Sequence, residues 1–380
     1  MLATSYRTAY NEDHEAFRDT VRKVFAEHLT PHMEEHEANG IVPRDVWKTM
    51  GDAGMLCMTV KEENGGLGLD FGFNCVLTEE LSYLGSSAGF TLQNDITANY
   101  FERLGNPEQR AKYLPGMVSG DIITAIAMTE PGAGSDLQGI RTTAKKDGNH
   151  LVINGSKTYI TNGQNADCVI VVAKTDPELG SKGISLVLVD ADTPGFERGR
   201  NLDKIGQHAA DTSELFFNDC RVPMTNILGA EGMGFVHLME ELPQERLGIA
   251  VGAQAAAQRA FDEAVTFTKD RKAFGKTVFE FQNTKFTLAD LKAKLQVGWA
   301  HLDWAIRKHL AGELTTAEAS AAKLWHTDLQ WDLCDASLQL HGGAGYMNEY
   351  AIARLWRDAR VTRIFGGTNE IMKEVISRSI

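Results

Sequence analysis

The chain has no uninterrupted apolar run approaching the ~18 residues that a membrane-spanning helix needs. Its start, MLATSYRTAYNEDHEAF, carries no cationic-then-apolar signal pattern and no transit peptide. No membrane span is expected. Cysteine is sparse: Cys57, Cys75, Cys168, Cys220 and Cys334 are odd in number, scattered, and form no C-x-x-C pair. That argues against a disulfide framework and against a zinc site, so no metal is expected. A reducing compartment fits: the cytoplasm in a bacterial cell, or the mitochondrial matrix in a eukaryotic one. Positive charge is also in short supply, with 38 Lys and Arg against 51 Asp and Glu, a net charge of -13 and a pI near 5.4. A phosphate backbone demands a basic face, so nucleic acid is disfavoured as a partner. Internal repeats and low-complexity tracts are missing too.

What is present is an ordinary globular composition. A chain of 380 residues with 43% hydrophobic content can bury more than one core, and two or three domains are expected. From residue 11 to about 120 the pattern is helical, with Phe17, Val21, Val24, Phe25 and Leu29 recurring at spacings of three and four. Between Asp121 and about Pro223 the period changes to short β-rich runs, IITAIAM, LVING, CVIVVA, GISLVLV and ELFF, separated by Gly, Asn, Asp and Pro. That reads as a compact, mostly antiparallel β domain. From Gly234 onward long helical patterns return. The order helical (1–121), β (122–233), helical (234–380) describes an α+β protein and disfavours a doubly wound nucleotide-binding sheet.

Several short motif matches fail on context. GSSAG at 85–89 fits a nucleophile elbow but follows the helical TEELSYL, not a strand. HMEEH at 32–36 has Met33 where a zinc-protease helix needs glutamate, and a solvated helix face is expected there. AFGKT at 273–277 ends like a phosphate loop, yet Asp270 stands where the first glycine belongs.

Two features keep a functional and a structural reading open. In EELPQERL, Pro243 is expected to open a long helix, which puts Glu245 in the first turn. There it is either a cap favoured by the helix dipole or the base of an active site. The second is AMTEPGAGSDLQG, 127–139, whose glycines follow a β run and let the backbone approach a ligand, with Thr129 and Ser135 adding hydroxyls. An ordinary glycine-rich turn reads equally well. Further glycine clusters, QLHGGAGYMNE at 339–349 and FGGTNE at 365–370, interrupt helical surroundings.

Taken together, AMTEPGAGSDLQG, QLHGGAGYMNEYAIARLWRD, YITNG, DRKAFGK, Gln282 and GTNE closely resemble, in order, the signatures of the acyl-CoA dehydrogenase flavoproteins, across essentially the whole chain. The resemblance implies helical, β-barrel-like and four-helix-bundle domains, a homotetramer, and FAD between the β domain and the C-terminal helices. It places Met128, Thr129, Ser135, Tyr159, Ile160 and Thr161 at the flavin ring. Tyr159 stands where family members often have tryptophan, and an aromatic face is kept. Arg271, Phe274, Gln282, Gln339, Gly342 and Gly343 resemble positions holding adenosine and pyrophosphate, several reaching a neighbouring subunit's FAD, and Thr368 and Glu370 complete that set. Guanidinium and phosphate geometry suit Arg271. Ser135, Leu242, Arg246 and Gly367 are implied to contact substrate.

Dehydrogenating a thioester needs a carboxylate for the α-proton, donors for the enolate-like oxygen and a flavin to accept the β-hydride. Many family members carry the carboxylate where this chain has Gly366. A minority, the isovaleryl and long-chain enzymes, carry it at a position matching Glu245, and ELPQERL resembles the long-chain group. The resemblance therefore implies Glu245 as base, with Gly366 leaving room for it and offering its N–H to the thioester carbonyl. Enclosure is expected to raise the Glu245 pKa toward neutrality, against the helix dipole and Arg246. The implied reaction turns a saturated medium- or long-chain, or branched, acyl-CoA into the trans-2-enoyl-CoA, with electron-transferring flavoprotein as acceptor. The acyl pocket floor is expected around 86–98 and 236–246. Two other readings of the same fold are an oxygen-using flavin oxidase or monooxygenase and a non-catalytic flavin-binding protein.

Overall fold

The computed structural model describes all 380 residues and contains three successive layers of structure. Six helices come first: α1 (Glu12–Val24), α2 (Met33–Asn39), α3 (Arg44–Asp52), α4 (Phe71–Leu84), α5 (Ala98–Leu104) and α6 (Pro107–Ser119). α1 starts at a capping box, in which the Asn11 side chain accepts from the His14 N–H and the His14 ring accepts from the Asn11 N–H. The expected stripe packs inward, with Val21, Phe25 and Leu29 buried and Phe17 and Val24 packed against them. GSSAG does follow a helix, since Gly85 ends α4 in the left-handed conformation. A π-helical turn, Leu92–Thr97, leads into α5. The HMEEH expectation needs one correction. His36 is 3% exposed, buried rather than solvated, because it lies on the inward side of α2.

The strands follow: β1 (Thr124–Ala127), β2 (Thr143–Asp147), β3 (His150–Thr161), β4 (Cys168–Lys174), β5 (Ile184–Asp190), β6 (Phe196–Asn201), β7 (Thr212–Pro223) and β8 (Ile227–Leu228). They form one curled sheet in the order β6-β7-β3-β2-β4-β5-β8, with β1 added parallel to β4. All other pairs are antiparallel except the short β2–β4 contact. The continuous apolar run CVIVVA has a physical cause, because β4 is buried on both faces. Ile170 and Val172 join the core shared with the N-terminal helices, while Val169 and Val171 point into the core within the β layer.

The C-terminal part is a bundle of α7 (Gly234–Asp270), α8 (Gln282–Leu310), α9 (Thr316–His341) and α10 (Ala351–Thr362), closed by α11 (Asn369–Ser377). A two-strand hairpin, β9 (Lys272–Ala273) and β10 (Lys276–Thr277), joins α7 to α8. α7 begins at Gly234, not at Pro243, which lies in its interior. Proline was expected to mark the first turn. The helix instead starts where Gly234 fits against the backbone of Ile184 and Ser185, too tightly for any Cβ, and tertiary packing carries it past the proline.

Candidate active site

Because Glu245 sits inside α7, more than two turns past its start, the cap reading falls and no helix N-terminus pulls on the carboxylate. The residue is 6% exposed. Burial raises its carboxyl to about 7, while the Tyr100 hydroxyl and, more weakly, Arg246 act to lower it. Tyr100 donates to Glu245 Oε1 at 3.3 Å from α5, which packs beside α7. One turn earlier, Glu241 is buried and held by Asn99 and Arg103, also from α5. Asp95, on the π-helical turn, is another buried acid in this wall, raised by burial to about 7 and adjacent to Gly248. The polar wall thus has Asp95, Asn99 and Tyr100 facing 241–248, so it reaches beyond the expected segments 86–98 and 236–246 on both sides.

The loop 366–370 lies on the other side. A Cβ built on Gly367 would stand 3.9 Å from Arg246 Nη2. Arg246 donates to Ser320 Oγ at 3.0 Å, and its Nε is buried with no partner. Lys323, from α9, fixes the loop by donating to the Gly367 carbonyl at 2.9 Å and to Asn369 Oδ1 at 2.8 Å. Burial, then the nearby Arg246, lowers its ammonium to about 8. No carbonyl of the chain accepts from the Gly366 or Gly367 N–H. Both glycines have positive φ, 64° and 91°, which a side chain would strain. Thr368 caps α11 through the Ile371 N–H, and Glu370 is exposed. One expectation needs correcting. The space above Gly366 is not vacant, because a Cβ there would lie 2.3 Å from Ile249 Cδ1. Ile249 is one turn beyond Glu245 and projects toward the same loop.

A second cluster forms where β1 ends beside β3. The Thr158 N–H donates to the Thr129 carbonyl at 2.9 Å. Lys157, fully buried, donates to the Met128 carbonyl at 3.0 Å and to Glu130 Oε1 at 2.9 Å. Glu130 in turn accepts from the Arg141 and Thr142 N–H groups, which folds the glycine loop back and leaves Ser135 exposed on it. A bulge in the β3–β7 pairing between Lys157 and Ile160 turns Tyr159 outward at φ 60°, where it is 68% exposed. Thr161 follows, paired with Thr212. Ile160 is corrected: it is only 2% exposed and sits within the β core, its carbonyl accepting from the Gly163 N–H at 3.2 Å, so it presents little surface to a ligand in this chain.

A third cluster gathers at the far end of α7. Arg271, Gln282, Gln339, Gly342 and Gly343 are exposed, and Phe274 is 95% exposed on the hairpin turn. The end of α9 is tied to α7 by the stacking of His341 on Phe267 at 4.4 Å. Added Cβ atoms on Gly342 and Gly343 would meet nothing within 4 Å, so the backbone there is open to close approach. Arg271 directly follows the last residue of α7, 26 residues beyond Glu245 and roughly 39 Å along the helix axis. A surface cleft of about 520 Å³ between the N-terminal segment and α8, lined by Tyr6, Lys292, Trp299 and Arg307 among others, contains none of these residues.

Comparison with known proteins decides the family. Models of the acyl-CoA dehydrogenase N-terminal, middle and C-terminal domains match residues 11–121, 125–220 and 232–380. The chain is 48% identical over 377 residues to the long-chain specific acyl-CoA dehydrogenase, mitochondrial, of Sus scrofa, covering 98% of this chain and 88% of that protein. The chain belongs to the acyl-CoA dehydrogenase family. Among solved structures of the family, an acyl-CoA dehydrogenase from Geobacillus kaustophilus superposes with a TM-score of 0.97 at 48% identity, covering 98% of this chain and 99% of that one. An acyl-CoA dehydrogenase complexed with FAD, from Bacillus anthracis, superposes at 0.91 with 29% identity, over 97% and 67% of the two chains.

Within this acyl-CoA dehydrogenase, sequence reasoning missed Tyr100, Ile249, Lys157, Lys323 and Asp95. Lys157 left a signal, since it shares the inward parity of Leu151 and Ile153 and a lysine there must be paired. The others read as ordinary helix residues, and only the packing of distant segments gives them a partner.

Proposed function

We propose that the protein dehydrogenates a saturated acyl-CoA between Cα and Cβ, giving the trans-2-enoyl-CoA, with Glu245 as the base. The observation that carries this reading is a buried carboxyl raised to about 7 beside a loop with two free N–H groups. A base poised near neutrality can take a proton and release it again at physiological pH. The Gly366 N–H, from which no carbonyl of the chain accepts, is assigned to the thioester carbonyl, where it would stabilise the enolate-like oxygen that develops as the α-proton leaves. Arg246 and Lys323 add positive potential beneath that loop. Leu242, Ser135 and Gly367 are assigned to substrate contact. Exclusion of water around Glu245 strengthens each of these interactions.

FAD fits the remaining residues. The exposed Tyr159 ring and the Thr129, Ser135 and Thr161 hydroxyls offer a stacking face with polar neighbours, and Met128 and Ile160, which flank them in the chain, are assigned to the same cofactor site. Arg271, Phe274, Gln282, Gln339, Gly342 and Gly343 suit an adenosine and pyrophosphate, and Thr368 and Glu370, on the loop near Arg246, are assigned to the same cofactor. Bound there, the flavin supplies the two-electron acceptor for hydrogen leaving Cβ. Roughly 39 Å separates Glu245 from Arg271 along α7, more than one dinucleotide spans, which supports a site shared between subunits of a homotetramer. Exposed Phe286, Val297 and Trp304 along α8 supply apolar surface for such an assembly. Medium- to long-chain or branched acyl groups are the proposed substrates, electron-transferring flavoprotein the acceptor, and a reducing compartment the site of action, consistent with five buried, unpaired cysteines. No helix is long and apolar enough to cross a membrane.

The deciding experiment is anaerobic titration of the purified flavoprotein with saturated acyl-CoAs of increasing and branched chain length, following flavin absorbance in wild type and Glu245→Gln. Bleaching in wild type alone supports the reaction and the base together. Bleaching equal in both moves the base elsewhere, and no bleaching by any thioester overturns the dehydrogenase reading.

A further inference from the structure

We infer that Tyr100 is a positioning residue for the base, its hydroxyl holding Glu245 Oε1 so that Oε2 is the oxygen that meets the substrate α-proton. This rests on the assignment of Glu245 as base. Three observations carry it. Tyr100 is fully buried on α5, and its hydroxyl is the one group of the chain that donates to the Glu245 carboxylate. Oε2 has no partner within the chain. Residues on either side of Tyr100 engage the next carboxylate on the same face of α7, because Asn99 and Arg103 both donate to Glu241. Carboxylates four residues apart on α7 are thus matched by donors from a single facing turn of α5. Such a contact fixes the rotamer of an otherwise flexible glutamate and stabilises its anion.

The charged and titratable groups around Glu245 are Glu241 and Arg246 on its own helix, Tyr100 and Arg103 from α5, Asp95 from the π-helical turn and Lys323 from α9. Tyr100 itself stays protonated, since burial and the Glu245 and Glu241 carboxylates hold its phenol well above its usual range. It donates a hydrogen bond without surrendering the proton.

The test is the rate of anaerobic flavin reduction by a saturating acyl-CoA across pH in three proteins: wild type, Tyr100→Phe, and a protein with 3-fluorotyrosine at position 100. Losing the donor disfavours the carboxylate, so Tyr100→Phe is expected to move the acid limb up by about one pH unit, roughly a tenfold slower reduction below the midpoint, with the high-pH limit kept within about threefold. Fluorotyrosine keeps the shape and sharpens the donor, so its limb moves to lower pH. A merely structural tyrosine would change flavin content or melting temperature and leave the limb in place. Profiles that superpose on wild type overturn the positioning role while an inactive Glu245→Gln keeps the base. Should Tyr100→Phe fail to fold, the fluorotyrosine profile decides alone. Equal bleaching by Glu245→Gln removes the base from position 245 and this inference with it.

Discussion

Glu245 is more comfortable protonated than ionised in the folded protein, and that has a cost in stability. Its folded pKa, about 7, lies above the ordinary value of 4.5, so the native state binds the extra proton between those two pH values. The stability this contributes is fully present below about pH 4.5 and is lost as the pH rises through about 7. Glu245→Gln should therefore be more stable than wild type at about pH 8, on the order of 2 kcal/mol, and gain little at about pH 5. Denaturant unfolding at the two pH values checks this, and an equal gain at both would contradict it. Activity runs the other way, because the rate should fall as the carboxyl is protonated below about pH 7. Ile249 makes a second prediction. Moving the base by Glu245→Ala with Gly366→Glu should restore little flavin reduction, since the new side chain meets Ile249 and a positive φ. Adding Ile249→Ala should raise the rate severalfold over the double variant, and a double variant as fast as the triple would end this account. The neighbours of Glu245 in the chain left cap and base equally open and only the resemblance of ELPQERL to the long-chain group pointed to a base, whereas Tyr100 and Ile249 owe their importance to contacts 145 and 117 residues away in sequence, with Glu245 and with Gly366.

Among the elements, the end of β1 and the loop after it depend on one buried ion pair. Lys157 and Glu130 are both buried, and burial lowers the Lys157 ammonium to about 8 despite its partner. Removing one member of such a pair strands the other, so Lys157→Met should lose about 3 kcal/mol and bind FAD at least tenfold more weakly. Thermal melting and flavin-fluorescence titration read the two effects, and unchanged flavin affinity would detach the pair from the site. Strands were legible where burial was continuous or alternating, as in β4 and β5. β2 (TAKKD) and β6 (FERGRN) were not, because each buries a single residue and reads as polar loop. The start of α7 was misread for a different reason. Pro243 is the strongest local helix-start signal in the segment, but the packing of Gly234 against β5 outweighs it. Helix order and the glycine loops survived this error because they rest on longer patterns.

At the scale of the whole molecule, the base and the third cluster are held at a fixed separation by the 37-residue α7. If each complete site takes its base from one subunit and its adenosine contacts from another, two broken chains can repair each other. Co-expressed Glu245→Gln and Arg271→Ala subunits should show several times the activity of either alone, because mixed assemblies contain sites with both groups intact. Activity no greater than the sum of the separate variants would mean that each chain builds its site unaided. The α, β, α order was legible from the change of period, while assembly was legible only through resemblance, because a single chain does not display its partners. The same helix also sets what evolution can do with this chain. One residue inserted between Glu245 and Arg271 turns everything beyond it by about 100° and advances it by about 1.5 Å, so the two ends lose their common orientation at a stroke. Length variation must therefore be confined to connections such as 176–183 and 311–315, and α7 can drift in composition but not in residue count.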